Sequence, residues 1–404
     1  MSAVDPSSRV LSGMRPTGPL HLGHYHGVLK NWLDMQHEYE CFFFVADWHA
    51  LTTHYEHTDN LQQHSMNMVI DWLASGINPG SATLFLQSRV PEHAELHLLL
   101  SMITPLSWLE RVPSYKDQQE KLKERDLSTH GFLGYPLLQS ADILAYRAGV
   151  VPIGADQEAH VEITREIARR FNHLYGREPG FEENAEAAIR KMGRKQGTLY
   201  NKLRKNYLEQ GDDAALETAR AILKDQNNLT VGDQERLFGY LEGTGKVIFP
   251  EPQALLTPYS RMPGLDGQKM SKSYGNTISL RDSADSISTK IRKMPTDPAR
   301  MRRNDPGEPE KCPVWQFHQL YSDTQQQEWV QQGCRSASIG CVDCKVPIIE
   351  AIQAELEPMH IEVRELENNQ DIVKNILSEG CEKARDEAQD TLKEVREVIG
   401  LGYR

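Results

Sequence analysis

Short apolar runs alternate with longer amphipathic segments through the first 175 residues. The runs at 10–11, 41–46 and 82–86 are apolar on both faces of an extended chain, which is typical of strands buried in a parallel sheet. Between them, apolar residues recur at helical spacing, as at 28–33 and 61–73. This alternation predicts an α/β fold with its site at the carboxyl ends of the strands.

The rest of the chain divides into segments of different character. A length of 404 residues exceeds what one hydrophobic core usually supports. Residues 177–250 contain 12 basic and 12 acidic side chains with weak helical periodicity, which indicates a charged helical insertion. We therefore predict a catalytic domain over 1–176 that is completed by 251–300, the insertion at 177–250, and a helical C-terminal domain at 301–404.

The net charge of −12 argues mildly against a protein that coats nucleic acid, but it does not exclude local contact with RNA. The best phosphate-facing stretch by charge is 290–303, with six basic residues and one acid. No apolar run is long enough to span a membrane. The N-terminal residues lack the regions of a secretion signal, so we expect a cytoplasmic protein.

Residues 15–24 place two histidines between a predicted strand and a predicted helix. Gly18 and Gly23 let a ligand approach the backbone closely, and the helix N-terminus suits an anion. His21 and His24 are three residues apart, so both can donate hydrogen bonds toward one phosphate. The pattern predicts a nucleotide site, although two histidines at this spacing also occur as ordinary surface residues.

A second cationic element is the sequence Lys-Met-Ser-Lys-Ser at 269–273. Lys269 and Lys272, flanked by hydroxyls, are suited to clamp a polyphosphate, although an exposed basic loop is the alternative. Together with His21 and His24, this element resembles the paired motifs of the class I aminoacyl-tRNA synthetases. The resemblance implies that an amino-acid carboxylate attacks the α-phosphorus of ATP while these four side chains and Mg²⁺ stabilise the phosphates.

Residues 135–146 predict a helix with Pro136 in its first turn. Tyr135, Gln139 and Asp142 lie at positions i, i+4 and i+7, so they form one polar stripe beside an apolar face. Such a stripe predicts the wall of a ligand pocket. A plain solvent-exposed helix face is the alternative.

The segments 45–51, 135–146 and 151–157 resemble, in order, those of the tryptophanyl-tRNA synthetases. The resemblance implies a Rossmann-like parallel sheet with helical insertions, a helical anticodon-binding domain, a homodimer, and L-tryptophan, ATP and tRNA(Trp) as substrates. It implies that tryptophan is bound by His49, Tyr135, Gln139, Asp142 and Gln157. It also implies that ATP is bound by Arg15, Pro16, Thr17, Gly23, His24, Gly154, Ala155, Asp156, Lys269, Met270, Ser271, Lys272 and Ser273.

Three other functions stay open. A tyrosine–tRNA ligase of the same class is the main alternative, because an indole N–H and a phenol O–H are both donors to Asp142, and tyrosyl enzymes carry Gln at the position of Gln139. A small-molecule adenylyltransferase can share the histidine motif but does not need the C-terminal helices or the full lysine–serine loop. A non-catalytic paralogue is disfavoured by the intact histidines and lysines.

Four of the six cysteines, Cys312, Cys334, Cys341 and Cys344, bunch late in the chain. The Cys-x-x-Cys pair would put two thiolates on one side of a tight turn, and the other two complete four soft ligands. In a cytosolic protein this spacing favours a metal site over disulfides. The residues leave zinc and a [4Fe–4S] cluster open. The surrounding sequence resembles a subset of tryptophanyl-tRNA synthetases that carry an iron–sulfur cluster beside the anticodon.

Overall fold

A five-stranded sheet forms the centre of the protein. The computed structural model describes residues 9–112, 129–154, 157–176, 180–256 and 262–403. Its strands are β1 (Arg9–Met14), β2 (Glu40–Val45), β3 (Ala82–Leu86), β4 (Val150–Ile153) and β5 (Gln253–Leu256). All pairings are parallel, in the order β3-β2-β1-β4-β5. This confirms the predicted α/β fold with a Rossmann-like parallel sheet.

Helices surround this sheet and connect its strands. Those up to β4 are α1 (Leu22–His24), α2 (Lys30–Met35), α3 (Asp47–His54), α4 (Leu61–Ala74), α5 (Glu92–Ser101), α6 (Leu106–Glu110), α7 (His130–Leu133) and α8 (Tyr135–Ala145). A π-helical turn, Tyr25–Leu29, joins α1 to α2, and a 3₁₀ turn, Gln87–Arg89, follows β3. Within the described ranges, no helix has the length and apolar character that crossing a membrane requires.

The helices after β4 complete the fold. They are α9 (Glu158–Tyr175), α10 (Phe181–Lys191), α11 (Arg194–Gln210), α12 (Asp213–Lys224), α13 (Val231–Leu241), α14 (Ala284–Lys293), α15 (Pro313–Tyr321), α16 (Thr324–Arg335), α17 (Cys341–Asn368) and α18 (Gln370–Val398). Two further 3₁₀ turns span Lys272–Tyr274 and Pro309–Lys311.

The two faces of the sheet bury separate hydrophobic cores, because strand side chains alternate in direction. Phe43 of β2 packs in one core, where its ring stacks on Trp32 with centroids 4.1 Å apart. Its neighbour Phe42 packs in the other core and stacks on Tyr146 with centroids 4.9 Å apart. Both faces of β2 are therefore buried, as its uninterrupted apolar sequence predicts.

The two long C-terminal helices pack directly on these cores. Apolar side chains of α17 belong to the first core, and those of the middle and end of α18 belong to the second. Helix α18 lies against edge strand β3 at Gly380, where a Cβ atom would stand 1.9 Å from the Leu84 carbonyl oxygen. This close approach covers the edge strand and explains why the helix carries glycine in its interior.

Residues 181–241 form the four helices α10–α13 around a third hydrophobic cluster. Its largest fully buried side chain is Tyr200, whose hydroxyl donates to the Leu237 carbonyl at 2.6 Å. The chain leaves α9 for these helices and returns from them into β5. The region is therefore helical, and its four helices form a compact unit with its own core.

We expect Gly380→Ala to destabilise the protein by about 1–3 kcal/mol or more, because the added methyl group would push α18 away from β3. Gly232→Ala in α13 is the matched control, since no atom lies within 4 Å of its new Cβ. That control should be neutral or stabilising by about 0.5–1 kcal/mol. Urea unfolding measures both, and equal destabilisation by the two substitutions would contradict the packing described here.

Candidate functional site

The residues predicted to form a site lie in loops that follow neighbouring strands. The histidine segment follows β1, His49 follows β2, and Gln157 follows β4. Because parallel strands end at the same edge of a sheet, these loops meet there. The crevice lies between β1 and β4, where the strand order reverses.

The two predicted phosphate-facing segments come together at this edge. The Lys272 ammonium donates to the Gly18 carbonyl oxygen at 2.8 Å, across 254 residues of sequence. Backbone hydrogen bonds join the same regions, from Leu22 N to Ile278 O at 3.0 Å and from Leu280 N to Leu20 O at 3.0 Å. The histidine segment and the lysine–serine loop therefore face one space.

Two glycines make this approach possible. Gly18 has φ +127°, a conformation that side chains rarely adopt, and it accepts the Lys272 contact. A Cβ at Gly23 would lie 2.9 Å from the His21 ring. A side chain at Gly23 would displace the His21 ring, and one at Gly18 would strain the backbone whose carbonyl accepts from Lys272.

Both imidazoles are neutral near pH 7. Burial, helped by the charge of Lys272, lowers the pKa of His21 to about 4. Burial, His21 and Lys272 lower the pKa of His24 well below its usual value. Each Nδ1 accepts a backbone N–H, from Gly23 at 3.1 Å and from His21 at 3.2 Å. A neutral ring that accepts at Nδ1 carries its proton on Nε2, so each offers a neutral N–H donor.

The two lysines of the loop occupy different environments. Burial and then Arg15 lower the pKa of Lys272 to about 8, and Asp71 partly opposes them. Lys269 is exposed, and its backbone carbonyl accepts from Asn276 at 3.1 Å. Lys272 is therefore the half-buried cation beside the histidines, in a place where a bound phosphate would stabilise its charge.

The remaining loop residues hold this arrangement. Met270 is buried in the first core, and the Ser271 N–H donates to the Asn276 side chain at 2.8 Å. In the loop after β1, Pro16 is buried and Thr17 half-buried. The predicted ATP contacts at Ala155 and Asp156, and the side chain of Ser273, lie outside the part of the chain that the structure describes.

A buried carboxylate stands at the other end of the crevice. Asp142, 1% exposed, accepts from His49 Nε2 at 2.6 Å on one oxygen. Its second oxygen accepts from Gln87 Nε2 at 2.8 Å and from His93 Nδ1 at 2.6 Å. His93 in turn contacts the Tyr146 hydroxyl at 2.7 Å. The alternative of a solvent-exposed helix face is wrong for Asp142.

These partners keep Asp142 ionised. Burial by itself would raise its pKa, but His49 and His93 lower it to about 2. A carboxylate has about four acceptor positions, and three donors are in place. The oxygen bonded to His49 can accept one more donor.

Gln87, His93 and Tyr146 were not predicted as site residues. Gln87 lies just after β3 and His93 at the start of α5, and neither carries a motif. Their partners are 49 to 55 residues away in sequence. Only the fold brings Gln87 and His93 to Asp142.

Polar atoms that lack partners mark the rest of the pocket. Within the described ranges, His49 Nδ1 and Gln139 Oε1 are buried without a hydrogen bond. The Tyr135 ring lies edge-on to His49 with centroids 4.6 Å apart, and the Arg15 guanidinium is 5.9 Å from its centre. Unpaired buried acceptors are rare in native proteins, so they indicate a place for ligand donors or water. The predicted residue Gln157 caps α9 beside Gly154.

The four late cysteines are free thiols and are half-buried. Burial and then the other three thiols raise the pKa of Cys344 to about 12. Cys341 and Cys344 lie three residues apart in the first turn of α17, so the two side chains are on one side of the helix. Across the described residues, no three His, Cys, Asp or Glu side chains are placed to hold a metal ion.

The sequence matches the family described as tRNA synthetases class I (W and Y) over residues 5–206 and 212–357. The tryptophan–tRNA ligase of Ralstonia nicotianae is 64% identical, covering 98% of this chain and 99% of its own. That of Thermotoga maritima is 42% identical, covering 98% and 100%. A tryptophanyl-tRNA synthetase structure from Campylobacter jejuni, complexed with ADP and tryptophan, is 29% identical with a TM-score of 0.74, covering 97% and 100%.

The low pKa of Asp142 predicts acid-sensitive stability. Its folded pKa of about 2 lies below the ordinary value of 3.8. The carboxylate therefore contributes stability above pH ~4 that is lost as the pH falls through ~2, amounting to about 2 kcal/mol. Urea unfolding between pH 5 and pH 2 should show that Asp142→Asn loses about that much less than the wild type. Identical pH dependence of the two proteins would contradict the role of His49 and His93.

Proposed function

The chain belongs to the class I tRNA synthetases for tryptophan and tyrosine, and we infer from this premise that it is a tryptophan–tRNA ligase. It would join L-tryptophan to ATP, release pyrophosphate, and transfer the tryptophanyl group to the 3′ end of tRNA(Trp). The 64% identity to a tryptophan–tRNA ligase over 98% of the chain supports this function. The contact between Lys272 and Gly18 is the structural observation that carries it. As an enzyme of translation, it is proposed to act in the cytoplasm.

Activation needs no protein nucleophile, because the tryptophan carboxylate attacks the α-phosphorus itself. The enzyme has to position the two substrates and stabilise charge on the phosphates. We assign donor roles to the Nε2–H groups of His21 and His24, and charge stabilisation to Lys272. Lys269, which is exposed, would reach the leaving pyrophosphate from the loop.

Mg²⁺ fits this reaction as a companion of ATP. The described residues place no set of three ligands for a metal ion, and Mg²⁺ characteristically binds substrate phosphates and water with few protein ligands. It would supply additional charge neutralisation on the phosphates. The protein groups that act beside it are those of His21, His24 and Lys272.

Tryptophan recognition is assigned to the Asp142 pocket. The remaining acceptor position of Asp142 suits the single indole N–H, and the Tyr135 and His49 rings provide an aromatic wall. The unpaired Gln139 Oε1 and the nearby Gln157 are suited to receive the ammonium group of the amino acid. This assignment would hold the carboxylate of tryptophan toward the phosphate end of the crevice.

A pyrophosphate-exchange assay tests the function directly. Exchange should depend on tryptophan, and tyrosine should support it at least a hundredfold less well, because a phenol places its donor differently from an indole. Exchange driven by tyrosine alone would favour the tyrosine-specific alternative. The absence of exchange with either amino acid would exclude both ligases.

Lys272→Ala should lower the exchange rate roughly a hundredfold or more, because the cation acts on charge that develops in the transition state. Tryptophan affinity, measured by calorimetry without ATP, should stay within about twofold. Equal loss of rate and tryptophan affinity would contradict this role.

The same residue predicts a pH dependence. Lys272 is charged below its pKa of about 8 and loses its proton as the pH rises through that value. The wild-type kcat/KM for ATP should therefore fall above pH ~8. Lys272→Arg is the matched control, because a guanidinium stays charged and should remove that fall.

We propose that Cys312, Cys334, Cys341 and Cys344 hold a [4Fe–4S] cluster, with zinc as the alternative, in an anticodon-binding domain. The donor chemistry supports this, because all four residues are cysteines and the other three thiols act on the pKa of Cys344. The described residues do not place three donors around one metal position. A cluster would tie Cys312, before α15, to the first turn of α17.

Anaerobically purified protein should show a broad visible absorbance band and about four irons per chain. One zinc per chain without that band would select the alternative metal. Cys341→Ser together with Cys344→Ser should abolish either signal, whereas Cys381→Ser, distant in the fold, should not. Protein without iron, zinc or absorbance would overturn the proposal.

We also propose a homodimer. Leu98 of α5, Met102 just after that helix and Leu106 of α6 are more than half exposed. Large apolar side chains gathered on neighbouring helices favour a protein interface. An isologous contact between two copies would cover them.

A further inference from the structure

The insertion concentrates positive charge in an otherwise acidic protein. Residues 190–208 contain seven basic side chains and no acidic one. The whole chain carries a net charge of −12, so the rest of it, without this +7, stands at −19. A local field of the opposite sign on a protein this acidic suits a polyanion.

Much of this charge is free of internal partners. Arg194, Lys195 and Lys202 are exposed on α11, and no carboxylate pairs with them anywhere in the described ranges. Lys195 and Lys202 are seven residues apart, so they lie on one side of the helix. We call Arg194, Lys195 and Lys202 the α11 basic face.

Other cations of the segment serve the fold instead. Arg204 donates to the Tyr240 carbonyl at 2.7 Å and lies 3.8 Å above that ring. Lys191 pairs with Asp233 at 2.7 Å. The structural partners of Arg204 and Lys191 account for these two cations within the fold. No such partner accounts for the α11 basic face.

Helix electrostatics disfavour the α11 basic face. Arg194 and Lys195 occupy the first turn of α11, which contains no acidic residue. Cations at that end oppose the helix dipole, so they do not stabilise the helix. Local stability therefore does not account for them, whereas an approaching anion would meet the Arg194 guanidinium, the Lys195 ammonium and the N-terminus of the helix.

The stretch at 290–303, which the sequence indicated as a phosphate-facing segment, is less available to a partner. Lys290 pairs with Asp282, and buried Arg300 donates to the Ile339 carbonyl at 2.6 Å. Arg292 donates to Ser288 at 3.2 Å and Arg303 pairs with Asp343 at 3.9 Å, so four of its six cations have partners within the chain. The α11 basic face is the better candidate for a partner.

We propose that the α11 basic face binds the phosphate backbone of the tRNA substrate. This inference rests on the proposed function, which makes tRNA a substrate. Helix α9 begins at the carboxyl edge of the sheet and runs for 18 residues, about 27 Å, before the insertion. A tRNA whose 3′ end occupies the crevice presents phosphates along an extended surface, and these can meet a second contact at that distance.

The test is the triple variant Arg194→Glu, Lys195→Glu and Lys202→Glu in the full chain. Glutamate suits the first turn of a helix, so the variant should fold. We expect the tRNA KM in aminoacylation to rise tenfold or more, and the salt dependence of tRNA binding to weaken by about one unit of log–log slope per lost phosphate contact. Tryptophan-dependent pyrophosphate exchange, which needs no tRNA, should be unchanged.

The matched control is Arg194→Lys, Lys195→Arg and Lys202→Arg, which keeps all three charges. It should retain the wild-type tRNA KM and salt slope. An unchanged tRNA KM and salt slope in the glutamate variant would overturn the proposal. If that variant instead lost binding to phosphatidylserine vesicles, the face would be assigned to a membrane. Wild-type protein without exchange or aminoacylation would instead contradict the proposed function.

Discussion

The hydrogen bond from the Lys272 ammonium to the Gly18 carbonyl joins the two halves of the crevice. It places a cation, partly stripped of water, beside two neutral imidazoles. A bare cation in such a place is costly, and bound phosphate would relieve that cost. The backbone bonds on either side of Leu20 and Leu22 hold this geometry before any ligand arrives. The proposed phosphate chemistry would therefore depend on a contact between segments that are far apart in sequence.

The amino-acid end of the crevice depends on a different constraint. Asp142 is buried and ionised, which is stable only because His49, His93 and Gln87 donate to it. His93 positions the Asp142 carboxylate, because one ring nitrogen contacts Asp142 and the other contacts the Tyr146 hydroxyl. Three donors already held in place fix the direction of the one remaining acceptor position. Specificity for the ring would thus come from a rigid carboxylate.

The C-terminal helices and the insertion extend this core in different ways. Helices α17 and α18 share the two cores of the sheet, so they move with the catalytic part unless those cores open. The insertion has its own small cluster and keeps its charges outside. Packing therefore couples the cysteine-bearing end of α17 to the sheet, whereas the insertion is suited to act through its surface.

Local pattern was sufficient for the strands at 41–46 and 82–86 and for the helix with Pro136 in its first turn, because periodicity and turn residues act over a few positions. Local sequence pattern does not predict the protonation states of the site residues. The neutrality of His21, the pKa of Lys272 near 8 and that of Asp142 near 2 arise from burial and from neighbours distant in sequence. His93 and Gln87 gained their place only through the fold. The sequence by itself determined which chemical groups are present, and the tertiary structure decided their charge and their partners, because solvent exclusion is a property of the folded chain.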